Sequence, residues 1–262
     1  MKEWDVSINR GILTGFNEAF IISGEKKREL ISADPKSAEI IRPILRGRDI
    51  NRYGYDFADL WLINVHNGIS EKGIPSIEVN DYPAIKRHLD IYFDKLIRRY
   101  DKGDTPYNLR SCDYLDDFYK QKIIYPDIMR MPRQVESLRE YPYFYLDEEN
   151  LFVEATNFLM TGQDIDLVYL FLTSDLGFFA FSKFYSGPQF DETGFRYKKA
   201  YLDKTFIPRP NSQKTSVLRD TMKALKKYKD AEDEINVTWT EIVGLNAEEI
   251  KFVSLYKRSL LG

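Results

Sequence analysis

The chain has a single cysteine, Cys112, so no intrachain disulfide can form. With only two histidines beside it, a Cys/His zinc cluster cannot be assembled. No apolar run approaches the ~18–20 residues that span a bilayer, and Met1-Lys-Glu-Trp-Asp5 lacks the apolar stretch of a signal peptide. A cytoplasmic location without a membrane partner is therefore expected. Gly-rich phosphate loops are missing as well: neither G-x-G-x-x-G nor G-x-x-x-x-G-K-[ST] occurs. The Asn-Pro-Pro-aromatic loop of amino-methylating enzymes is also absent, since its nearest match, Ile124-Tyr-Pro-Asp127, has one proline and no asparagine. Pro126-Asp127 with Glu136 would begin a Pro-Asp…Glu-x-Lys nuclease site, but position 138 is Leu, so the lysine that site requires is missing. There is no repeat of fixed period and no low-complexity segment.

A surplus of positive charge is lacking too. With 38 Lys and Arg against 41 Asp and Glu, the net charge is −3 and the pI about 5.6. That counts against a protein that coats nucleic acid non-specifically, but not against a sequence reader, whose footprint depends on where the charges lie. They lie unevenly. Positions 42–52 hold four Arg against one Asp, and 214–229 hold six Lys or Arg against one Asp. The acids gather in Asp113-Tyr-Leu-Asp-Asp117, Asp147-Glu-Glu149 and the stretch 230–249. The Lys223–Lys229 face is expected to solvate a helix rather than to bind DNA.

What the 262 residues do contain is a 43% apolar share, enough for a core, and 18 Tyr with 17 Phe. Residues 4–8 alternate, and strand-like runs fall at 19–22, 60–65, 122–125, 143–146 and 151–159. Residues 82–100 carry Ile85, Leu89, Tyr92, Phe93, Leu96 and Tyr100 at helical spacing, with Asn80-Asp81 as the expected start. Two apolar helical pieces, 164–173 and 176–185, should break near Gly177. Pro208–Pro210 is the best internal boundary, followed by helical stretches at 215–234 and 247–260. This irregular mixture, without a βαβα rhythm, predicts an α+β fold.

Four loops mix Arg or Lys with amides and Tyr: 46–53, 107–110, 129–133 and 185–199. Arg can hold guanine bidentately, Asn and Gln can hold adenine, and Lys and Tyr anchor phosphates. The candidate DNA contacts are therefore Arg46, Arg48, Arg52, Asn108, Arg110, Arg130, Arg133, Tyr185, Gln189, Arg196, Tyr197, Lys198 and Lys199. The 187–199 and 46–52 loops are expected to carry most of them. The bland alternative for Arg48 is that it pairs with an acid such as Asp49 and pins a turn. His66 could donate to a base or equally serve a turn. His88 should be a partly exposed helix residue, and Cys112 an ordinary half-buried thiol.

Longer strings point to a family. Ile8–Ile22, Ile41-Arg-Pro-Ile-Leu-Arg-Gly-Arg-Asp-Ile50 with Tyr53, and Leu60-Trp-Leu-Ile63 resemble the opening of the TaqI-like C-terminal specificity domain. That domain belongs to adenine-specific DNA methyltransferases and type IIG restriction–modification enzymes. Tyr82–Arg99, Lys122–Ile128, Gly194–Leu202, Phe206–Pro210 and Val243–Ile250 continue the similarity in order, across nearly the whole chain. The resemblance implies a β-rich, partly β-helix-like recognition body, here residues 1–210, and a C-terminal helical hairpin, 211–262. It implies double-stranded DNA as partner, read on behalf of a methyltransferase or endonuclease domain of the same polypeptide or of a partner subunit. S-adenosylmethionine and Mg²⁺ would be held by those domains, with no cofactor and no catalysis in this chain itself. Trp4 so close to Met1 favours an excised fragment over a free-standing protein. Two other classes compete: an assembly module that binds the catalytic domain rather than DNA, and a free-standing enzyme with an unrecognised site.

Overall fold

The computed structural model describes residues 1–189, 191, 193–225 and 231–260. The first part of the chain runs β1 (Ser7–Arg10), α1 (Asn17–Phe20), β2 (Ile21–Ser23), α2 (Gly24–Ala33), β3 (Ile41–Leu45) and β4 (Leu60–Ile63). After α3 (Pro83–Asp90) and α4 (Phe93–Leu96) come β5 (Lys122–Pro126), β6 (Ile128–Arg130), β7 (Tyr145–Asp147), β8 (Phe152–Val153) and β9 (Asn157–Thr161). The rest is α5 (Ile165–Thr173), α6 (Asp175–Ala180), β10 (Gly194–Arg196), α7 (Lys199–Leu202), α8 (Ser212–Leu225), α9 (Ala231–Val243) and α10 (Ala247–Ser259).

Among the described residues the strands form sheets ordered β1-β9-β5-β7 and β2-β4-β3-β8 and a ribbon β10-β6. The first sheet is a wall between two cores, because successive side chains of a strand point to opposite faces. Ile8, Ile123, Tyr125 and Met160 face one core, which also takes Trp4, Phe171, Phe178, Leu218, Ile235, Trp239 and Val253. Ile124 and Leu159 face the other, built on the second sheet with α2 and α3. Every residue of β5 is buried. The helices α8, α9 and α10 thus complete the first core rather than forming a core of their own.

The α+β class holds, with 46% of the chain helical and 18% in strands. The described strands do not stack as β-helix coils: β3 pairs with β8 in parallel, and the other named strand pairs are antiparallel. Among the described residues the C-terminal segment is helical as expected, and it comprises three helices, α8, α9 and α10, instead of two. Gly244 (φ +79°) ends α9, and Asn246 opens α10 by accepting from the Glu248 and Glu249 amides.

Other expectations shift by a few residues for physical reasons. The apolar pair breaks at Ser174, whose hydroxyl accepts from the Gly177 amide at 3.0 Å, and the two pieces bend by 74°. Gly177 is required there, since a Cβ would lie 1.8 Å from the Phe171 carbonyl oxygen. No single helix among the described residues is long and apolar enough to cross a membrane. The 82–100 helix is interrupted between α3 and α4, and Tyr100 stands 95% exposed beyond it. Its start is Pro83 at the first helical position, with Asn80-Asp81 in a 3₁₀ turn before it. Residues 17–20, taken in part for a strand, are the helix α1. His88, expected to be partly exposed, is buried with Nε2 3.0 Å from the Ala19 carbonyl.

A candidate nucleic-acid interface

The loop after β3 turns sharply because Arg46 and Asp49 close on each other. The Asp49 carboxylate accepts from the Arg46 backbone amide (2.8 Å), Nε (2.9 Å) and Nη2 (2.7 Å). Burial pushes the Asp49 carboxyl up, yet its bonds to Arg46 outweigh that and leave it below its usual range. Arg46, rather than Arg48, is thus the residue that pins the turn. Arg48 is exposed and makes no hydrogen bond or salt bridge among the described residues. Between them Gly47 lies flat on the floor, where a Cβ would come within 2.7 Å of Asn157 Oδ1 and 3.2 Å of Pro126 Cβ.

The loop forms one wall of a cleft of about 690 Å³, lined by Arg10, Arg46, Arg48, Arg130, Tyr143 and Asn157 together with Gly47, Pro126, Asp127, Ile128, Glu154 and Thr156. Four guanidiniums face two carboxylates. Glu154 is one of these, and its carboxyl is raised by burial, Asp49 adding to the rise and Arg46 and Arg48 opposing it. Arg130 is paired with Asp191 at 2.8 Å, which holds that carboxyl below its usual value. Arg10 is fixed by a 2.6 Å bond from Nε to the Ala155 carbonyl. Arg10 also borders a second hollow of about 300 Å³ that contains Arg110, Cys112 and Tyr114. Arg10 thus belongs to both hollows, the second of which also holds Asp113.

Of the residues anticipated from sequence, the cleft gathers Arg46 and Arg48 with Arg130, which lies more than 80 positions further along the chain. Arg196 sits next to them, because β10 pairs with β6 and sets Arg196 opposite Ile128. Arg110 adjoins through the second hollow and is paired with Asp101 at 2.8 Å. Arg133, Gln189 and Lys198 are exposed, and Tyr185 is half-buried, none of them lining the cleft. Lys199 reaches back to the Ile8 carbonyl at 3.0 Å.

Three anticipated contacts are corrected, because burial keeps them from any ligand. Arg52 is 2% exposed and bonds to Glu232 and to backbone carbonyls. Asn108 donates to the carbonyls of His66 and Ile77, both at 3.3 Å. Tyr197 stacks on Phe181 with ring centres 4.3 Å apart and shares a hydroxyl contact with Tyr141. His66 takes the turn role, with Nδ1 accepting from the Gly68 amide at 3.0 Å. In the lysine-rich face, Lys223 pairs with Asp220 at 3.0 Å, while Lys226, Lys227 and Lys229 lie outside the described residues. The sequence reading missed Arg10, Tyr143 and Asn157. Arg10 carried the same Arg-before-Gly signal as Arg46, whereas Tyr143 and Asn157 carried none.

Cys112 is half-buried, and burial, with Asp113 adding to it, pushes its thiol up to about 11. Since the thiolate is the nucleophile, alkylation by iodoacetamide at pH 8 should run about 100-fold slower than for an ordinary thiol. The rate should climb about tenfold per pH unit towards 11. Labelling at pH 8 as fast as free cysteine would contradict this.

The fold is one found within restriction–modification enzymes. The type IIL restriction–modification enzyme MmeI, solved in complex with DNA, aligns over 97% of this chain and 35% of that chain, with 14% identity and a TM-score of 0.64. The type IIG restriction endonuclease BpuSI aligns over 98% and 30%, with 14% identity and a TM-score of 0.58. This chain thus spans about a third of the length of either structure. No protein-family model and no curated protein matches the sequence.

Proposed function

We propose that this chain is the DNA target-recognition domain of a restriction–modification enzyme, of the TaqI-like specificity type. In this reading it binds duplex DNA through the arginine cleft for a methyltransferase or endonuclease domain on the same polypeptide or a partner subunit. S-adenosylmethionine and Mg²⁺ belong to that other domain, and the work is done in the cytoplasm. The observation that carries the reading is the convergence of Arg10, Arg46, Arg48 and Arg130 on one cleft from distant segments. Guanidiniums in an open cleft suit phosphates and guanine edges, and a fixed floor gives them a defined register. The neighbour solved on DNA supports the same direction.

Binding to a randomised duplex library, followed over a range of salt, tests it. Each neutralised phosphate contributes about −0.9 to the slope of log K against log salt, so three to five contacts predict roughly −3 to −5. A flat slope, or no duplex binding alongside tight binding to a separately supplied methyltransferase domain, would favour the assembly-module reading instead.

A further inference from the structure

Four residues beyond Arg48 the same loop leaves the cleft and enters the protein. Arg52 pairs with Glu232 Oε1 at 2.8 Å and donates to the carbonyls of Tyr141, at 3.3 Å, and Thr173. The Tyr53 hydroxyl donates to Glu232 Oε2 at 3.0 Å, and the Tyr169 hydroxyl donates to the Arg52 carbonyl at 2.8 Å. Both oxygens of one carboxylate, in the first turn of α9, therefore hold consecutive residues of the loop. A second buried pair adjoins: Lys257 of α10 meets Asp175 at 2.9 Å and donates to the Tyr141 carbonyl that Arg52 also uses. Glu232 thus ties the loop to α9, and the Lys257–Asp175 pair joins α10 to α6 beside it, sharing the Tyr141 carbonyl with Arg52.

Buried ion pairs add little net stability over apolar side chains of the same shape, so geometry is their better-attested contribution. Here the geometry is specific. The Arg46–Asp49 clasp closes around Arg48, and buried Ile50 and Arg52 anchor the stretch that leaves the clasp. Among the described residues, none of α8, α9 or α10 lines the cleft. We infer that Glu232 is a positioning residue for base recognition, acting through Arg52 on the exposed Arg48 guanidinium, so that the C-terminal helices govern sequence preference without touching DNA. The inference rests on the recognition reading above.

Selection of the full chain against a randomised duplex library provides the test, comparing wild type with Arg48→Ala, Glu232→Gln, Glu232→Asp and the Arg48→Ala/Glu232→Gln double variant. Arg48→Ala should lose preference at one base position. Glu232→Gln should weaken that same position, on the order of 3–30-fold, with affinity for arbitrary duplex nearly unchanged. The double variant should be no worse than Arg48→Ala, since the two act in series, and Glu232→Asp should restore part of the preference. Arg52→Lys, which keeps the charge but not the planar fork, is the milder second variant and should weaken the same position. A Glu232→Gln protein that melts earlier yet keeps every base preference, or that erodes a different position, overturns the inference alone. A wild-type pool with no enriched sequence overturns the recognition reading and this inference with it.

Discussion

Lys122→Met is expected to destabilise the fold by about 3–5 kcal/mol. For a chain of this size that is a fall in melting temperature on the order of 10 °C. Lys122 and Asp147 are register partners on β5 and β7, and both side chains are fully buried. Burial depresses the lysine, and Asp147 opposes that by pairing with it. The lysine Nζ also donates to the Phe118 carbonyl at 2.7 Å. Asp147 in turn accepts from the amides of Glu149 (2.8 Å) and Leu151 (3.0 Å), which shapes the turn into β8. Methionine fills the volume of lysine but leaves a buried carboxylate without its counter-charge, and that uncompensated charge accounts for most of the loss. Lys122→Met/Asp147→Asn should recover part of it, because an amide keeps an acceptor for the turn and carries no charge. Thermal unfolding of the single and double variants separates the two terms. A single variant that melts like wild type would show that Asp147 finds water or another partner.

The same pair shows what the sequence could and could not disclose. Lys122-Ile-Ile-Tyr reads as a strand on β-propensity, and it is one, but a lysine at its head reads as an exposed end. Its burial depends on β7 arriving from 25 residues away with an acid in register. Arg52, Asn108 and Tyr197 were misplaced for a related reason. A polar side chain in a loop is taken as solvated, yet each of these supplies hydrogen bonds to buried groups that the local sequence does not reveal. The helix α2 passed unnoticed although Ser23 caps it by accepting from the Lys26 amide and Glu25 stands in its first turn. That signal was present. The cleft itself was half legible: the Arg-bearing loops were found, whereas their meeting depends on the parallel β3–β8 pairing and the β6–β10 ribbon. Both join segments that are distant in sequence, and only loop closure in three dimensions brings them together.

Those contacts also rank the arginines, and the ranking predicts that Arg48→Ala causes the largest loss of DNA discrimination in the cleft. An arginine recognises guanine with two parallel donors, so it must arrive with donors to spare. Arg46 has given two of its nitrogens to Asp49, Arg10 has committed Nε to Ala155, and Arg130 has committed Nε to Asp191. Arg48 is exposed and has committed none among the described residues, while its backbone is held on both sides. The entropy of ordering a long side chain on DNA is thereby limited to its own rotamers. Removing it should cost about 1–3 kcal/mol at one base position, roughly 5–150-fold, and much less at the others. Lys198→Ala is the contrasting variant. It removes an exposed point charge outside the cleft, so it should weaken all duplexes alike and flatten the salt slope by about one unit. Competition binding against every single-base variant of the selected sequence distinguishes the two patterns. Uniform weakening by Arg48→Ala would make that residue a phosphate contact, and the reader of bases would then have to be sought on the Arg196 side of the β6–β10 ribbon.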